Sequence, residues 1–324
     1  MIITPLDPAE LSSPVAVITG GWSRERDRAL LSGRTVAEAL DEMGVKTRVI
    51  DLAGPRERML DSLAEEELAF LAIAGRGAED GRLQGFLETL GVPYTGSGVL
   101  ASAIGMNKIH AKAVVSAAGV RVPVGTRIEP RAIADDEAAR ICTMLDLPVI
   151  VKPTNEGGSI GLQVTTSVES LASALMYVAE EELMAEAFHP GRSVSVGVLE
   201  DQAGVVHVLP PLEAVTPNGI YSFAAKRGTA DCDYHVPARV SPETMNALQD
   251  QAVTAHRALH CHSYSRHDFV VGDDGLSWWL EVNTLPGLSK GGNLARMAQA
   301  DGISYELLLT HILRGAATDR RARP

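Results

Sequence analysis

From Val15 onward the chain alternates two hydrophobic patterns. Short, nearly unbroken apolar runs (VAVITGG, KTRVIDL, LAFLAIAG) are separated by longer stretches in which apolar residues recur on a helical period, ALLSGRTVAEALDEMG and LQGFLETLG among them, with a further helix expected between the second and third runs. Apolar strands interleaved with amphipathic helices predict an α/β domain over residues 1–103: a Rossmann-like, doubly wound parallel sheet. Ligands of such sheets bind beyond the carboxyl ends of the strands. The loops there are GGWSRERD, Gly20–Asp27, and GRGAEDG, Gly75–Gly81. Glu25 is the acid best placed to meet a cationic group; the competing reading is a first-turn acid favoured by the helix dipole.

Residues 104–190 read as helices KIHAKAVVSAAG and DDEAARICTMLD, strand PVIVKP, loop TNEGGSIGL, a helix, and strand ELMAEAF. Gly157, Gly158 and Gly161 around Ser159 make a loop whose backbone N–H groups could wrap phosphate oxygens. It lacks the GKS or GKT of a Walker motif, so Lys152, on the strand before it, is the candidate phosphate-neutralising cation. Most strand lysines are simply exposed.

Residues 191–324 contain strands SVSVGVLE and VVHVLPPLEAV, then an irregular stretch from Thr216 to Pro237. A loop of that length in a compact domain is usually a lid; it carries Lys226 and Arg227. A helix from Pro242 to His260, a hairpin and two closing helices follow, and the tail TDRRARP is expected to be disordered.

The hairpin concentrates polar chemistry. Asp274-Gly275 favours a two-residue type I′ turn, because both residues tolerate positive φ. Centred there, the turn sets Asp268 opposite Glu281 and Arg266 opposite Asn283. All four then project from one face, while Phe269, Val271, Leu280 and Val282 project from the other. Facing carboxylates repel unless a cation lies between them. Oxygen donors alone suit a hard ion such as Mg²⁺ better than zinc. A solvated polar face on an edge hairpin is the plainer alternative.

Bulk properties narrow the class. The 324 residues exceed one small domain, and 45% hydrophobic with 22% charged residues is ordinary for a globular protein. A formal net charge of −12 argues against nucleic acid or an anionic membrane as the main partner. Cys142, Cys232 and Cys261 are odd in number and widely spaced, which supports neither a disulfide framework nor a metal knuckle. MIITPLDPAELSSP lacks a basic segment followed by an apolar one, so a cytoplasmic protein is expected.

With these segments assembled, the chain resembles the D-alanine–D-alanine ligases of the ATP-grasp superfamily over nearly its whole length. GGWSRERD, GRGAEDGRLQGFLETLGVPYTGSGVLASA, MNKIHAK, LPVIVKPTNEGGSIG and RHDFV with LEVNTLPG follow the family's order. The resemblance implies the N-terminal parallel domain, then a two-lobed ATP-grasp with antiparallel sheets, the lobes being 104–190 and 191–324. It implies γ-phosphoryl transfer from ATP to one amino acid's carboxylate, giving an acyl phosphate that a second amine attacks. Asp268, Glu281 and Asn283 would hold two Mg²⁺ ions, with Mn²⁺ an alternative. Arg266 and the N–H of Gly287 would stabilise the tetrahedral transition state. Lys108, Lys152 and Lys226 would contact phosphates, Glu186 and the backbone of Ala187 to His189 the adenine, and the loop with Gly157 and Ser159 would close over ATP. Glu25 would bind the first substrate's ammonium. The family tends to form homodimers.

The departures from the family pattern are informative. Ala74 replaces a usual His, Gly158 a Ser, Arg227 a Tyr, Gly292 a Ser, and Ser193 the ribose-binding acid. The phosphoryl-transfer machinery thus resembles the family's while the amino-acid pocket is rebuilt. The expectation is a ligase of altered specificity, as EVNTLPG is similar to the vancomycin-resistance ligases, which also lack the Tyr. The alternatives are ordinary D-Ala-D-Ala synthesis for cell-wall precursors and a nucleotide-binding protein that has lost ligation. Retention of Arg266 beside two acids weighs against the last.

Overall fold

A computed structural model describes residues 1–11, 14–54, 63, 68–129, 132–176, 182–217, 219, 221, 223–226 and 229–316. The helix expected between KTRVIDL and LAFLAIAG, Arg227 and the tail TDRRARP fall outside these residues, as do the side chains of Phe223 and Lys226.

The first apolar runs pair as predicted. Strand β1 (Val15–Thr19) lies between β2 (Thr47–Asp51) and β3 (Leu68–Leu71), both parallel to it, with Val17 opposite Val49 and Phe70. Helix α1 (Arg26–Glu42) buries Ala29, Val36, Ala39 and Leu40, the helical period read from the sequence. Helix α2 (Arg82–Leu90) is bounded by Gly81 at φ 87° and Gly91 at φ 70°, left-handed positions that favour glycine at both ends. Helix α3 (Val99–Met106) was not foreseen in YTGSGVLASA.

Helix α4 (Lys108–Ala117) starts at Asn107, whose side chain accepts from His110 N. Behind it stands an antiparallel sheet ordered β4-β7-β5-β6, from β4 (Gly125–Arg127), β5 (Val149–Pro153), β6 (Gln163–Thr165) and β7 (Leu183–Ala187). The three-residue edge strands are too short to carry a readable period. Helices α5 (Ala134–Met144) and α6 (Val168–Met176) join this sheet in a core containing Ile141, Val149, Val151 and Leu171.

The last sheet runs β11-β10-β8-β12-β13 with β9 also paired to β8, all antiparallel. Its strands are β8 (Arg192–Glu200), β9 (Val206–Val208), β10 (Leu212–Val215), β11 (Asp233–His235), β12 (Tyr264–Val271) and β13 (Ser277–Asn283). VVHVLPPLEAV is two strands rather than one, because Pro210 and Pro211 have no N–H to donate to a ladder. The stretch Thr216–Pro237 is likewise not irregular throughout: it holds the short helix α7 (Phe223–Lys226) and β11. Helices α8 (Pro242–Ala258), α9 (Asn293–Ala300) and α10 (Tyr305–Arg314) complete the chain. One apolar cluster joins Val17 and Phe70 of the parallel sheet to Leu294, Leu308 and Ile312 of the closing helices, so the two ends of the chain share a core.

The hairpin corrects the sequence reading in one respect and keeps its result. Gly272 N donates to Leu276 O at 2.9 Å and Gly275 N to Gly272 O at 3.0 Å, with Gly275 at φ 79°. The loop is therefore Asp273–Gly275, three residues with glycine in the left-handed position, and not a two-residue type I′ turn. That loop alone would misalign the polar pairs by one. A β-bulge restores them: Phe269 faces Trp279, whereas Asp268 faces Glu281 and Arg266 faces Asn283, leaving Leu280 as the extra residue. Trp279 consequently joins Phe269, Val271 and Val282 in the core, while Leu280, expected there, lines a cavity beside Asp268 and Glu281.

Candidate active site

Arg266 and Asp268 project side by side from β12, and the geometry answers how two facing acids are tolerated. Arg266 donates from Nε to Asp268 Oδ1 at 2.8 Å and from Nη2 to Oδ2 at 2.9 Å. Ser195 Oγ donates to Oδ1 at 2.7 Å and Asn283 Nδ2 to Oδ2 at 3.2 Å. Burial disfavours the Arg266 charge, but Asp268 more than compensates, and the guanidinium is held above its ordinary value. Glu281 has its own cation, Lys108 Nζ at 3.3 Å. Each acid is thus matched by one base. The donor set is oxygen only, which fits a hard cation. Among the described residues no three His, Cys, Asp or Glu side chains converge as metal ligands, so a three-residue set here depends on the Asn283 amide.

Lys108 and Lys112, one helical turn apart on α4, face the hairpin from the other side. Lys108 Nζ donates to Glu156 O at 2.5 Å. Lys112 Nζ lies 3.1 Å from Glu186 Oε2 and donates to Trp279 O at 3.3 Å; burial pushes its pKa down to about 8. Lys152 donates to Glu186 Oε1. Burial raises the Glu186 carboxyl, yet Lys112 and Lys152 outweigh it and hold it below the usual range. Oε2 is buried, with the Lys112 ammonium as its charge partner. Glu186 lines a cavity of about 220 Å³ whose wall combines Lys108, Lys152 and Glu281 with apolar Ile150, Phe188 and Leu280. Ser193, Ala187 and His189 line it too. The His189 ring stacks on Trp278 with centroids 4.0 Å apart. Ala187 N–H is engaged by Val124 O and Phe188 N–H by Pro148 O, at 2.8 and 3.2 Å. Those two backbone donors are already engaged within the protein.

The glycine-rich loop after β5 closes one side of this cavity. Gly158 at φ 65°, Ser159 at φ 62° and Gly161 at φ 73° are left-handed. A serine at 158 would carry a Cβ in that region, which glycine avoids. Ser159 Oγ donates to Tyr221 O at 3.2 Å, tying the loop to the Thr216–Pro237 segment. Arg76 pairs with Glu156 at 3.0 Å, tying it to the N-terminal domain. The side chains of Lys226 and Arg227, expected at this closure, lie outside the described residues.

Two further cavities adjoin. The inner one is lined by Glu25, Arg28, Ala74, Glu79, Arg266 and Gly287, among others. Glu25 ends the loop before α1 and is 6% exposed; Arg28 Nη1 donates to its Oε1 at 3.1 Å. Glu79 accepts from Gly75 N at 2.6 Å and Leu285 N at 3.1 Å. Burial, then the Glu25 charge, pushes the Glu79 carboxyl up to about 7. The outer cavity, about 270 Å³, shares Arg28, Ser32, Arg266 and Gly287 with the inner one and adds Tyr221, Tyr234, Gly292 and Asn293. Gly292, N-cap of α9, would bring a Cβ within 3.0 Å of Gly287 O and 3.1 Å of Ser289 O.

Asp268, Glu281, Lys108, Lys152, Glu186 and Ser159 therefore line one cavity, and Arg266, Asn283, Glu25, Gly287 and Gly292 the cavities beside it, with Arg266 and Asn283 bonded to Asp268 between them. Sequence reasoning missed Lys112, although its spacing of four from Lys108 on a predicted helix was a usable signal. It also missed Arg28, one turn from Glu25. Ser195 and Tyr221 had no local signal, because their partners lie more than sixty residues away.

Comparison with known proteins agrees with this fold. Residues 114–314 match the family model described as D-ala D-ala ligase C-terminus. The D-alanine–D-alanine ligase of Geotalea uraniireducens is 39% identical over 94% of this chain and 95% of that protein. That of Alkalilimnicola ehrlichii is 36% identical over 96% of each. Among solved structures, the Bacillus anthracis D-alanine–D-alanine ligase complexed with ATP superposes with TM-score 0.79 at 26% identity, covering 97% of this chain and 100% of that one. The VanG D-Ala:D-Ser ligase of Enterococcus faecalis superposes with TM-score 0.80 at 26% identity, covering 94% and 99%. The chain belongs to the D-alanine–D-alanine ligase family, ATP-grasp enzymes that form carbon–nitrogen bonds.

Proposed function

We propose that the protein joins two amino acids at the expense of ATP, with an amino-acid preference shifted away from two D-alanines. The observation that carries ligation is that Asp268 and Glu281, with Arg266 and Asn283 bonded to Asp268 from behind, share one cavity with Lys108 and Lys152. In this reading residues 104–190 and 191–324 enclose ATP, and residues 1–103 supply the wall that meets the amino acids. Glu186, on the wall of that cavity, would accept from the exocyclic amine of adenine. Lys108 and Lys152 neutralise phosphate oxygens as charge spreads during transfer. Asp268, Glu281 and Asn283 would hold Mg²⁺, which would supply further neutralisation of the phosphates.

The first amino acid places its ammonium at Glu25 and its carboxylate towards Arg266. A carboxylate oxygen takes the γ-phosphoryl group and ADP leaves. The second amine attacks the acyl carbon, loses a proton, and expels phosphate. Arg266 and the N–H of Gly287 face the tetrahedral oxygen.

The shift in specificity rests on the inner cavity. Glu25 is paired with Arg28 rather than left to a substrate ammonium alone, and Ala74 offers only a methyl group there. Gly158 and Gly292 carry no side-chain donors. A panel of D- and L-amino acids, mixed pairwise with ATP and Mg²⁺ and followed by ADP release and product mass, tests both parts. The expected outcome is ADP formation with another pair at a higher kcat/KM than with two D-alanines. D-Ala-D-Ala as the best product would overturn the specificity reading and leave an ordinary cell-wall ligase; no ADP with any pair would overturn ligation.

A further inference from the structure

The wall shared by the inner and outer cavities carries two guanidinium groups, and they are differently committed. Arg266 is buried and gives Nε and Nη2 to Asp268. Arg28 gives Nη1 to Glu25, and its Nη2 lies 3.5 Å from the position a Cβ would take on Gly287, at the junction of the two cavities. Its side chain is 32% exposed, so the fork can swing without crossing a packed core. Two cations close by are turned elsewhere. Arg296 donates to Gly291 O at 2.8 Å and lies over the Tyr234 ring, and Lys290 lies over Tyr305. Across from Arg28 the wall includes Gly287, Gly291 and Gly292, whose lack of side chains leaves donation to other residues.

We propose that Arg28 is the specificity-determining residue of the outer cavity and binds a carboxylate of the attacking amino acid. This rests on the ligase reading above. The attacking substrate must present a neutral amine at the Arg266–Gly287 wall, so its remaining charge is anionic. Arg266 keeps donors beyond Asp268 as well, but in the ligase reading they face the first substrate's carboxylate and the tetrahedral oxygen; Arg28 is the second guanidinium on that wall, half-committed to Glu25 and partly exposed. Asp27, which also lines the cavity, repels that anion, and discrimination by Arg28 has to exceed this cost. Two sources of the carboxylate share this chemistry: the α-carboxylate of any amino acid, and an acidic side chain.

The experiment compares wild type, Arg28→Met and Arg28→Lys. Steady-state kinetics are taken with the preferred acceptor, its carboxamide and its dicarboxylic analogue; calorimetric binding of the same acceptors is taken with a non-hydrolysable ATP analogue. Loss of one charge-assisted pair should raise acceptor KM about 10- to 100-fold in Arg28→Met, with partial recovery in Arg28→Lys and a much smaller change in ATP KM. The wild-type preference for acid over carboxamide should disappear in Arg28→Met. If the wild type prefers the dicarboxylic analogue, the side chain is the group read; if not, the α-carboxylate is. An undiminished preference for acid over carboxamide in Arg28→Met overturns the inference and leaves ligation standing. Carboxylate-dependent binding that vanishes in Arg28→Met, in a wild type that never releases ADP, overturns ligation and leaves the Arg28 site standing.

Discussion

Gly157, on the loop beside the cavity lined by Lys108 and Lys152, approaches Glu25 of the inner cavity so closely that a Cβ at 157 would lie 2.3 Å from Glu25 Oε2. The two cavities thus meet through one glycine. Its backbone is not in the left-handed region, so the requirement is for space and not for φ.

Gly157→Ala should therefore disturb both substrates at once. The methyl group must displace either the Glu25 carboxylate, which Arg28 holds, or the loop, which Ser159 ties to Tyr221. Overpacking of this kind costs about 1–3 kcal/mol, which corresponds to a loss of roughly 5- to 150-fold in kcat/KM for the first amino acid. Initial rates at varied amino acid and varied ATP would check it. A change confined to ATP would show that the loop, and not Glu25, gives way.

Asp268→Asn should lower kcat by about a thousandfold or more, the scale of several kcal/mol of lost transition-state stabilisation. The amide oxygen can still accept from Arg266 or Ser195, so the variant should unfold cooperatively. Single-turnover rates at saturating Mg²⁺, with a thermal melt beside them, are the measurements. Near-normal turnover in a folded variant would remove Asp268 from the machinery.

The hairpin shows how far this site was legible. The facing pairs Asp268 with Glu281 and Arg266 with Asn283 were readable because acids and amides alternate with apolar residues on both arms. The turn was misread, since Asp273, Asp274 and Gly275 suit a two- or a three-residue loop equally well. The bulge at Leu280 compensated, and nothing in the local pattern announces a bulge between two aromatics and an acid. Helices α1 and α2 and the three parallel strands were readable from periodicity. The short edge strands β4, β6 and β11 were not, because three residues carry no period. Contacts such as Ser195 with Asp268 are set by the β8–β12 register, a pairing of strands far apart in sequence that hydrophobic patterning does not specify.

Behind the chemical face runs a hydrogen-bond chain whose direction is fixed at one end. Trp279 Nε1 can only donate, and it lies 3.1 Å from His267 Nδ1. His267 Nε2 then carries the hydrogen and meets Ser265 Oγ at 2.9 Å, Ser265 donates to His256 Nδ1 at 2.7 Å, and His256 Nε2 faces Glu200 at 3.4 Å. Trp279→Phe removes the donor and leaves His267 Nδ1 buried without a partner, at a cost of about 1–3 kcal/mol beyond that of the lost ring volume. Denaturant unfolding of Trp279→Phe and of the double variant Trp279→Phe/His267→Phe separates the two contributions. If the chain matters, the double variant should recover part of the loss; strict additivity would show that it does not.

Glu79 gives a pH dependence whose sign can be worked out. Its carboxyl titrates near 7 in the folded chain, raised first by burial and then by Glu25, against an ordinary 4.5. Between those values the folded protein holds a proton that the unfolded chain has released, so stability falls as pH rises through that window and levels off above it. His267 acts in the opposite sense. Burial, with His256 and Arg266 near it, holds its ring well below the ordinary 6.5, so the unfolded chain gains the proton first as pH falls below that value. The two slopes oppose each other below pH 6.5, and the wild-type profile alone cannot reveal either. Glu79→Gln keeps the neutral form at every pH. Its stability is offset downward because the amide nitrogen cannot accept from Gly75 N or Leu285 N, but the Glu79 slope is gone while the His267 slope remains. The unfolding free energy of wild type minus that of Glu79→Gln should therefore decline from pH 5 to pH 8 by something on the order of 3 kcal/mol. Parallel profiles in urea titrations across that range would mean that Glu79 stays ionised, and that the inner cavity holds two carboxylates rather than one carboxylate and one acid.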